Sequence, residues 1–494
     1  MTSTSTPATL VSANPADGTL IARHPVQLRD EVDAAVATAR RAQPEWAASE
    51  QAERSRALAA WRRHMWRHRD ELSALIHREN GKPLDDALVE IALTIEHIHW
   101  AEKHAAGATR SRRAAPGPLL ANFRARVDQV ALGVVGVIGP WNYPLYAPNS
   151  GTAFALATGN TVVLKPSEYT PTIARWYVDA FATANPQLPE GILQLVTGEG
   201  ETGAALCRAG VDKIVFTGST ATGRRVMATC AETLTPVLLE CGGKDAAVVA
   251  ADADLRNAAQ AIAWGAFSNA GQTCVGVERV YVETSVADRF VELFLRELKG
   301  VRPGSGREAT YGPMTTPAQV DIVRRHVAAA AEAGGTFLLG GPDSVGERYV
   351  EPVVILDADE DCAAVREETF GPTVTIRTVA DIDEAVRLAN HHDYALSASV
   401  FSRQHGEEIG SRLRVGQVSV NSVVAFAGMG SAPMGGVGGS GFGRVHGVEG
   451  LREFTRARST VTRRFGLPGS ELISLRRRRH VLPLVTTALS LRHR

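Results

Sequence analysis

The chain has 494 residues, 44% of them hydrophobic and 21% charged, which is too long for one ordinary core and too apolar for a disordered chain. Lys plus Arg equals Asp plus Glu at 53 each, so no global charge draws the chain to nucleic acid. Five cysteines (Cys207, Cys230, Cys241, Cys274, Cys362) form neither a CxxC nor a metal-ligand cluster, so the reading expects no metal and no disulfide framework, in a reducing, cytoplasmic setting.

The opening MTSTSTPATL carries no basic and apolar leader pattern. Apolar residues at three- and four-residue spacing predict helices over 30–43 and 51–80, the second stopped by Gly81 and Pro83. A third is expected from Leu84 to Ala106, ended by Gly107. VDQVALGVVGVIGP (127–140) is β-rich. Short apolar runs follow at helix-length intervals: TVVLKP (161–166), ILQLVTG (192–198), KIVFTG (213–218) and PVLLECGG (236–243). Strand, helix, strand in this rhythm means parallel βαβ units, whose ligands sit at the carboxyl ends of the strands. A second α/β series follows, with strands expected at 279–284, 350–355, 373–379, 397–401 and 416–422. The end differs: Arg476 to Arg479 precede VLPLVTTALSL (481–491), too short to span a bilayer. It reads as a surface-packed tail, with a basic membrane-surface anchor as the alternative.

Chemistry-bearing residues fall just after the strands of the first series. FTGSTATG (216–223) offers backbone N–H groups at a helix start, with Gly218 permitting close approach, although the spacing is not GxGxxG. Lys165 and Glu168 in KPSE could hold ribose hydroxyls, or be an ordinary strand-end loop. Cys274 in NAGQTC is a nucleophile if its thiolate is favoured, and otherwise a buried structural cysteine. Glu240 in LLECGGK is a carboxylate at the end of an apolar strand, suited to general-base work or to a salt bridge. Asn142, fenced by the prolines of PWNYP, can donate to an oxyanion or simply make a turn.

PWNYP, KPSE, FTGST, LLECGGK, GQTC and EETFGP (367–372) occur in this order, and the ordered set resembles the aldehyde dehydrogenase superfamily from about Asn14 to Gly466. The resemblance implies an α/β fold: a Rossmann-like cofactor domain (1–112 and 132–242), a second α/β catalytic domain (243–443) and a small β bridging element (113–131 and 444–466), then a basic tail (467–494). It implies a role for each matching position. Cys274 attacks an aldehyde, Asn142 and the Cys274 N–H hold the oxyanion, and Glu240 activates water against the thioester. Lys165 and Glu168 hold the adenosine ribose, while Gly218, Ser219 and Gly223 lie along the pyrophosphate. Glu368 and Phe370 position the nicotinamide ribose, and Trp141 lines the cofactor cleft. Glu168 would repel a 2′-phosphate, so NAD is expected ahead of NADP.

The implied product is a carboxylic acid, from a medium or long aliphatic aldehyde or a semialdehyde. The alternatives are acyl transfer to coenzyme A, against which Glu240 argues, and a membrane-associated fatty-aldehyde enzyme. The implied partners are a small aldehyde and further copies of the chain, as a homodimer or homotetramer. Two positions depart from the pattern. Gly151 stands where many relatives carry a lysine, and Cys241 replaces a leucine beside the base. Phe426, Ala427 and Met429 are the candidates for lining the substrate pocket.

Overall fold

The computed structural model describes residues 8–466, 479 and 481–493. The chain opens with an antiparallel hairpin, β1 (Thr9–Ala13) and β2 (Leu20–Pro25), which the sequence reading did not contain. Helix α1 (Arg29–Ala48) overruns the expected 30–43 and passes through Pro44. Its last turn is anchored by buried Trp46, whose Nε1 donates to the Leu156 carbonyl at 3.1 Å. The expected helix over 51–80 is two, α2 (Gln51–Arg67) and α3 (Arg69–Asn80), because His68 leaves helical geometry at φ −105°, ψ 21°. Helix α4 (Leu84–Ala108) continues past Gly107, since buried Ala105 and Ala108 hold its final turn on the core.

The expected β run at 127–140 is likewise two strands, in different sheets. Gly133 separates β4 (Phe123–Ala131) from β5 (Val134–Ile138) at φ +141°. A Cβ there would fall 2.1 Å from the Asp212 carboxylate, so only glycine fits. β5 is wholly buried and sits inside a sheet with β6 (Thr161–Lys165), β7 (Leu193–Leu195), β8 (Lys213–Thr217) and β9 (Val237–Glu240). The five are parallel, in the spatial order β9-β8-β5-β6-β7. Their connections carry α5 (Tyr146–Ala157), α6 (Pro171–Ala184), α7 (Gly200–Arg208) and α8 (Thr220–Ala231). The order reverses direction between β5 and β8, which opens a crevice at their carboxyl ends.

The second sheet has seven strands in the order β12-β13-β14-β11-β10-β16-β17. They are β10 (Asp245–Val249), β11 (Val277–Glu283), β12 (Thr336–Leu339), β13 (Val353–Leu356), β14 (Thr373–Val379), β16 (Ser397–Phe401) and β17 (Gln417–Val420). All pairings are parallel except β12 with β13. Sequence reading passed over β10, because DAAVV, one residue after two glycines, is short and alanine-rich. Each sheet has its own apolar core, and α9 (Leu255–Phe267) packs in the second.

The chain then returns to the first sheet. β15 (Tyr394–Ala395) pairs with β18 (Val437–Gly438), and β19 (Gly441–Phe442) adds antiparallel to β9. A three-stranded antiparallel sheet joins the segments expected to bridge: β20 (Thr455–Arg463) runs along β4, with β3 (Arg112–Ala114) on the other side. Residues 447–452, inside the expected 444–466 segment, are a short helix rather than strand. Of the tail, Val481–Arg492 is helical, while Arg476, Arg477 and Arg478 of the basic run lie outside the described residues. No helix among the described residues is long and apolar enough to cross a membrane.

Candidate active site

A cavity of about 320 Å³ opens at the crevice between β5 and β8. Pro140, Trp141 and Asn142 enter it from the end of β5, and Thr217, Gly218 and Ser219 from the end of β8. Glu240 and Gly242 come from the end of β9, Cys274 from the loop after α9, and Glu368 and Phe370 from the loop before β14. Residues spread over 230 positions of sequence thus meet in one hollow, as parallel sheets require of their ligand sites.

The loop bearing Cys274 is held under strain. Asn269, Ala270 and Gly271 stand consecutively in left-handed backbone, at φ 52°, 56° and 69°. For the two non-glycine residues this costs about 1–3 kcal/mol each. At Gly271 a Cβ would lie 2.1 Å from the Gly371 carbonyl oxygen. Side chains offset the strain. Asn269 Nδ2 donates to the Asn142 and Gln272 carbonyls at 3.1 and 3.2 Å. Gln272 Nε2 donates back to the Asn269 carbonyl at 3.0 Å, and its Oε1 accepts from Thr315 N at 2.9 Å. Cys274 itself is partly buried. Burial, then the carboxylates of Glu240, Asp245 and Glu368, push its thiol up to about 12.

Asn142 is tied to that loop directly. Its Nδ2 donates to the Gln272 carbonyl at 2.9 Å. An amide NH₂ has two hydrogens, so this bond aims the group and leaves the second N–H for another acceptor. The Asn142 carbonyl also accepts from Lys82 Nζ at 3.0 Å. Lys82 is paired in turn with Glu90 at 2.6 Å and lies over the Tyr143 ring at 4.0 Å. Glu90 Oε1 accepts from Leu145 N and Tyr146 N at 2.9 and 3.0 Å, completing a clamp on the PWNYP loop. Sequence reading missed both clamp residues. The available signal was Glu90 on the buried Ala87, Ile91, Ile95 and Ile98 face of α4, where an acid needs a partner.

Glu240 is buried, and burial pushes its carboxyl up to about 8; Arg444 opposes the shift and Glu453 adds to it. Its Oε1 has no hydrogen-bond partner among the described residues. The next residues bind the site together by having no side chain. A Cβ at Gly242 would fall 2.1 Å from Glu368 Oε2, and one at Gly243 2.6 Å from the Cys274 carbonyl oxygen. Gly243 N donates to Glu368 Oε1 at 3.0 Å, and burial pushes Glu368 up to about 8. Lys244 pairs with Glu278 below, and Glu278 accepts from Thr369 N and Phe370 N at 2.8 and 2.9 Å. That fixes the EETFGP segment, with Phe370 at φ 50° and edge-on to Trp141 at 5.5 Å.

Three of the residues expected to bind cofactor lie away from this cavity. Lys165 and Glu168 stand at the end of β6, 3.9 Å apart, and Gly223 lies one turn into α8 against Cys241. Ser219 has a task the sequence reading did not give it: its Oγ accepts from Thr222 N and so caps α8. Gly218 and Ser219, at the N-terminus of α8, line the same cavity as Cys274, and free backbone N–H groups at a helix start suit the phosphates of a dinucleotide.

Gly151 sits in α5 against the sheet, where a Cβ would meet Val215 at 3.1 Å and Val137 at 3.4 Å. Of the pocket candidates, Ala427 lines the cavity, Phe426 is buried in the core and Met429 is 53% exposed. Cys241 lines the cavity beside Glu240, and burial pushes its thiol up to about 12.

The model of the aldehyde dehydrogenase family matches residues 1–460. The chain is 37% identical over 468 residues to a 4,4'-diapolycopene aldehyde oxidase of Methylomonas sp, covering 93% of this chain and 87% of that protein. It is 36% identical over 483 residues to a Mycobacterium tuberculosis protein provisionally named succinate-semialdehyde dehydrogenase [NADP(+)] 2, covering 94% and 91%. The crystal structure of an NAD-dependent aldehyde dehydrogenase from Sinorhizobium meliloti superimposes with a TM-score of 0.89 at 32% identity, covering 93% of each chain.

Proposed function

The chain belongs to the aldehyde dehydrogenase family, an oxidoreductase family acting on aldehydes, and from that premise we propose that this enzyme converts an aldehyde to a carboxylic acid through a thioester on Cys274. The observation that carries the proposal is the meeting of Cys274, Asn142 and Glu240 in one cavity with the Gly218 turn.

Cys274 gives its thiol proton to water, Sγ bonds to the carbonyl carbon, and the C=O π pair moves to the oxygen, which becomes an oxyanion. The Asn142 amide, held by Gln272 and by the Lys82–Glu90 clamp, donates to that oxygen. A nicotinamide dinucleotide, when bound, supplies acceptance of two electrons and the substrate's C–H hydrogen, leaving an acyl thioester on the sulfur. Glu240 then takes a proton from water, the hydroxide adds to the acyl carbon, and the sulfur leaves. A carboxyl near 8 suits this step, since its conjugate base forms at mildly alkaline pH and is then far more basic than an ordinary carboxylate. The same base favours hydrolysis over acyl passage to coenzyme A. Lys165 and Glu168 would hold the adenosine ribose, Gly218, Ser219 and Gly223 would follow the pyrophosphate, and Glu368, Phe370 and Trp141 would place the nicotinamide end.

The substrate is a medium or long aliphatic aldehyde or a semialdehyde, both kinds having support in the names of the relatives. Cysteines that are all unpaired support a cytoplasmic setting. The long exposed edge of β20 supports pairing between copies, as a homodimer or a pair of homodimers. Cys274→Ala should abolish aldehyde-dependent NAD reduction by roughly a millionfold; turnover surviving in that variant sinks the mechanism. Glu168 favours NAD over NADP, so Glu168→Gln should narrow the kcat/KM ratio between the two cofactors. An unchanged ratio removes that residue from the choice.

A further inference from the structure

Resting on the aldehyde-oxidising reading, we infer that the cavity selects aldehydes whose chain is apolar to its far end, and rejects those ending in a carboxylate. The apolar lining of the cavity includes Val89 and Leu93 of α4, Tyr146 of α5, Trp264 of α9, and Val424 and Ala427. Their polar side-chain groups are the Tyr146 hydroxyl, which donates to the Ala427 carbonyl with His446 Nε2 at 3.2 Å, and the indole N–H of Trp264 at the exposed mouth.

A terminal carboxylate needs a cation or converging donors. Lys82 is the only lysine, arginine or histidine among the described residues that line the cavity. Its charge is already met: the side chain is 1% exposed, bonded to Glu90 at 2.6 Å and covered by the Tyr143 ring. Four acids line the same space, Asp86, Glu90, Glu240 and Glu368. The first turn of α4, whose N–H groups would otherwise attract an anion, carries Asp85 and Asp86. A carboxylate brought here would lose its water and find no unspent cation to replace it.

An alkyl chain meets the opposite situation. Each methylene taken from water into the apolar wall is worth about 0.8 kcal/mol, or about fourfold in kcat/KM when the contact is kept in the transition state. The mouth continues the apolar wall. Val89 and Trp264 line the cavity and are 54% and 55% exposed, so a chain outgrowing the hollow stays on apolar side chains.

The experiment measures kcat/KM with NAD for unbranched aldehydes from propanal to dodecanal, and for succinic semialdehyde against butanal at equal carbon number. The inference expects a rise of about fourfold per methylene, flattening where the chain clears the mouth, and succinic semialdehyde at least about tenfold below butanal. Val89→Arg, which puts a cation on the wall at the mouth, should raise the kcat/KM ratio of succinic semialdehyde to dodecanal about tenfold; an unchanged ratio counts against the selectivity. Succinic semialdehyde equalling or exceeding butanal, or a flat chain-length series, overturns the selectivity while leaving aldehyde oxidation intact. Absence of NAD or NADP reduction with every aldehyde overturns the underlying reading and this one with it.

Discussion

The two sides of the reacting centre are built on opposite plans. On the side of Asn142 and the Cys274 loop, hydrogen bonds are closed among neighbours: Lys82 to Glu90 and to the Asn142 carbonyl, Glu90 to the Leu145 and Tyr146 backbone just after PWNYP, Asn269 and Gln272 to each other and to Asn142. On the side of Glu240, a buried carboxylate keeps one oxygen without a partner, and its proton is held up to about 8. Closed bonding gives position at the cost of reactivity, and an unsatisfied buried acid gives reactivity at the cost of stability. The site places the sulfur by the first means and activates water by the second.

Substitutions can test this division. Glu240→Gln keeps the shape and removes the base, so turnover should fall about 100- to 10,000-fold. An acyl-enzyme, seen as one covalent adduct per chain by mass spectrometry, should accumulate. In the parent enzyme activity should rise with pH through about 8, because a carboxyl raised to that value is protonated and idle below it and a base above it. The variant should lose that limb; keeping it would assign the titration to another group. Asn142→Ala should slow the first half of the reaction by about 100- to 1,000-fold, the usual toll of losing one oxyanion donor. Lys82→Met should act at one remove, lowering kcat about tenfold with KM little changed, and lowering stability by about 3–5 kcal/mol because Glu90 is left buried without its cation. Lys82→Met with Glu90→Gln should regain much of that stability. If Lys82→Met matched Asn142→Ala in the acylation rate, the lysine would belong to the reacting centre itself.

Much of this molecule was legible in its residues, and what was not has physical reasons. The parallel βαβ rhythm after Gly133 follows from apolar runs at helix-length spacing, and every strand expected there exists. Asn142, Glu240, Cys274, Glu368 and Phe370 were each ambiguous alone, and the resemblance joined them before the geometry did. The sheet change at Gly133 and the run of α1 past Pro44 rest on distant partners, Asp212 and Leu156, which local periodicity does not register. The Lys82–Glu90 clamp was invisible for the same reason, since it acts on a loop more than fifty positions away. Gly242 and Gly243 suit a sharp turn after the strand. Their use is to let Glu368 and the Cys274 carbonyl come within contact of the backbone.

The packing of α5 also bears on how this enzyme could be redesigned. At Gly151 a Cβ would meet Val215 at 3.1 Å and Val137 at 3.4 Å, so any side chain there asks the sheet to give by a few tenths of an ångström. A longer side chain at 151 is best introduced together with a trimmed Val215, so redesign of this helix starts from two changes made at once.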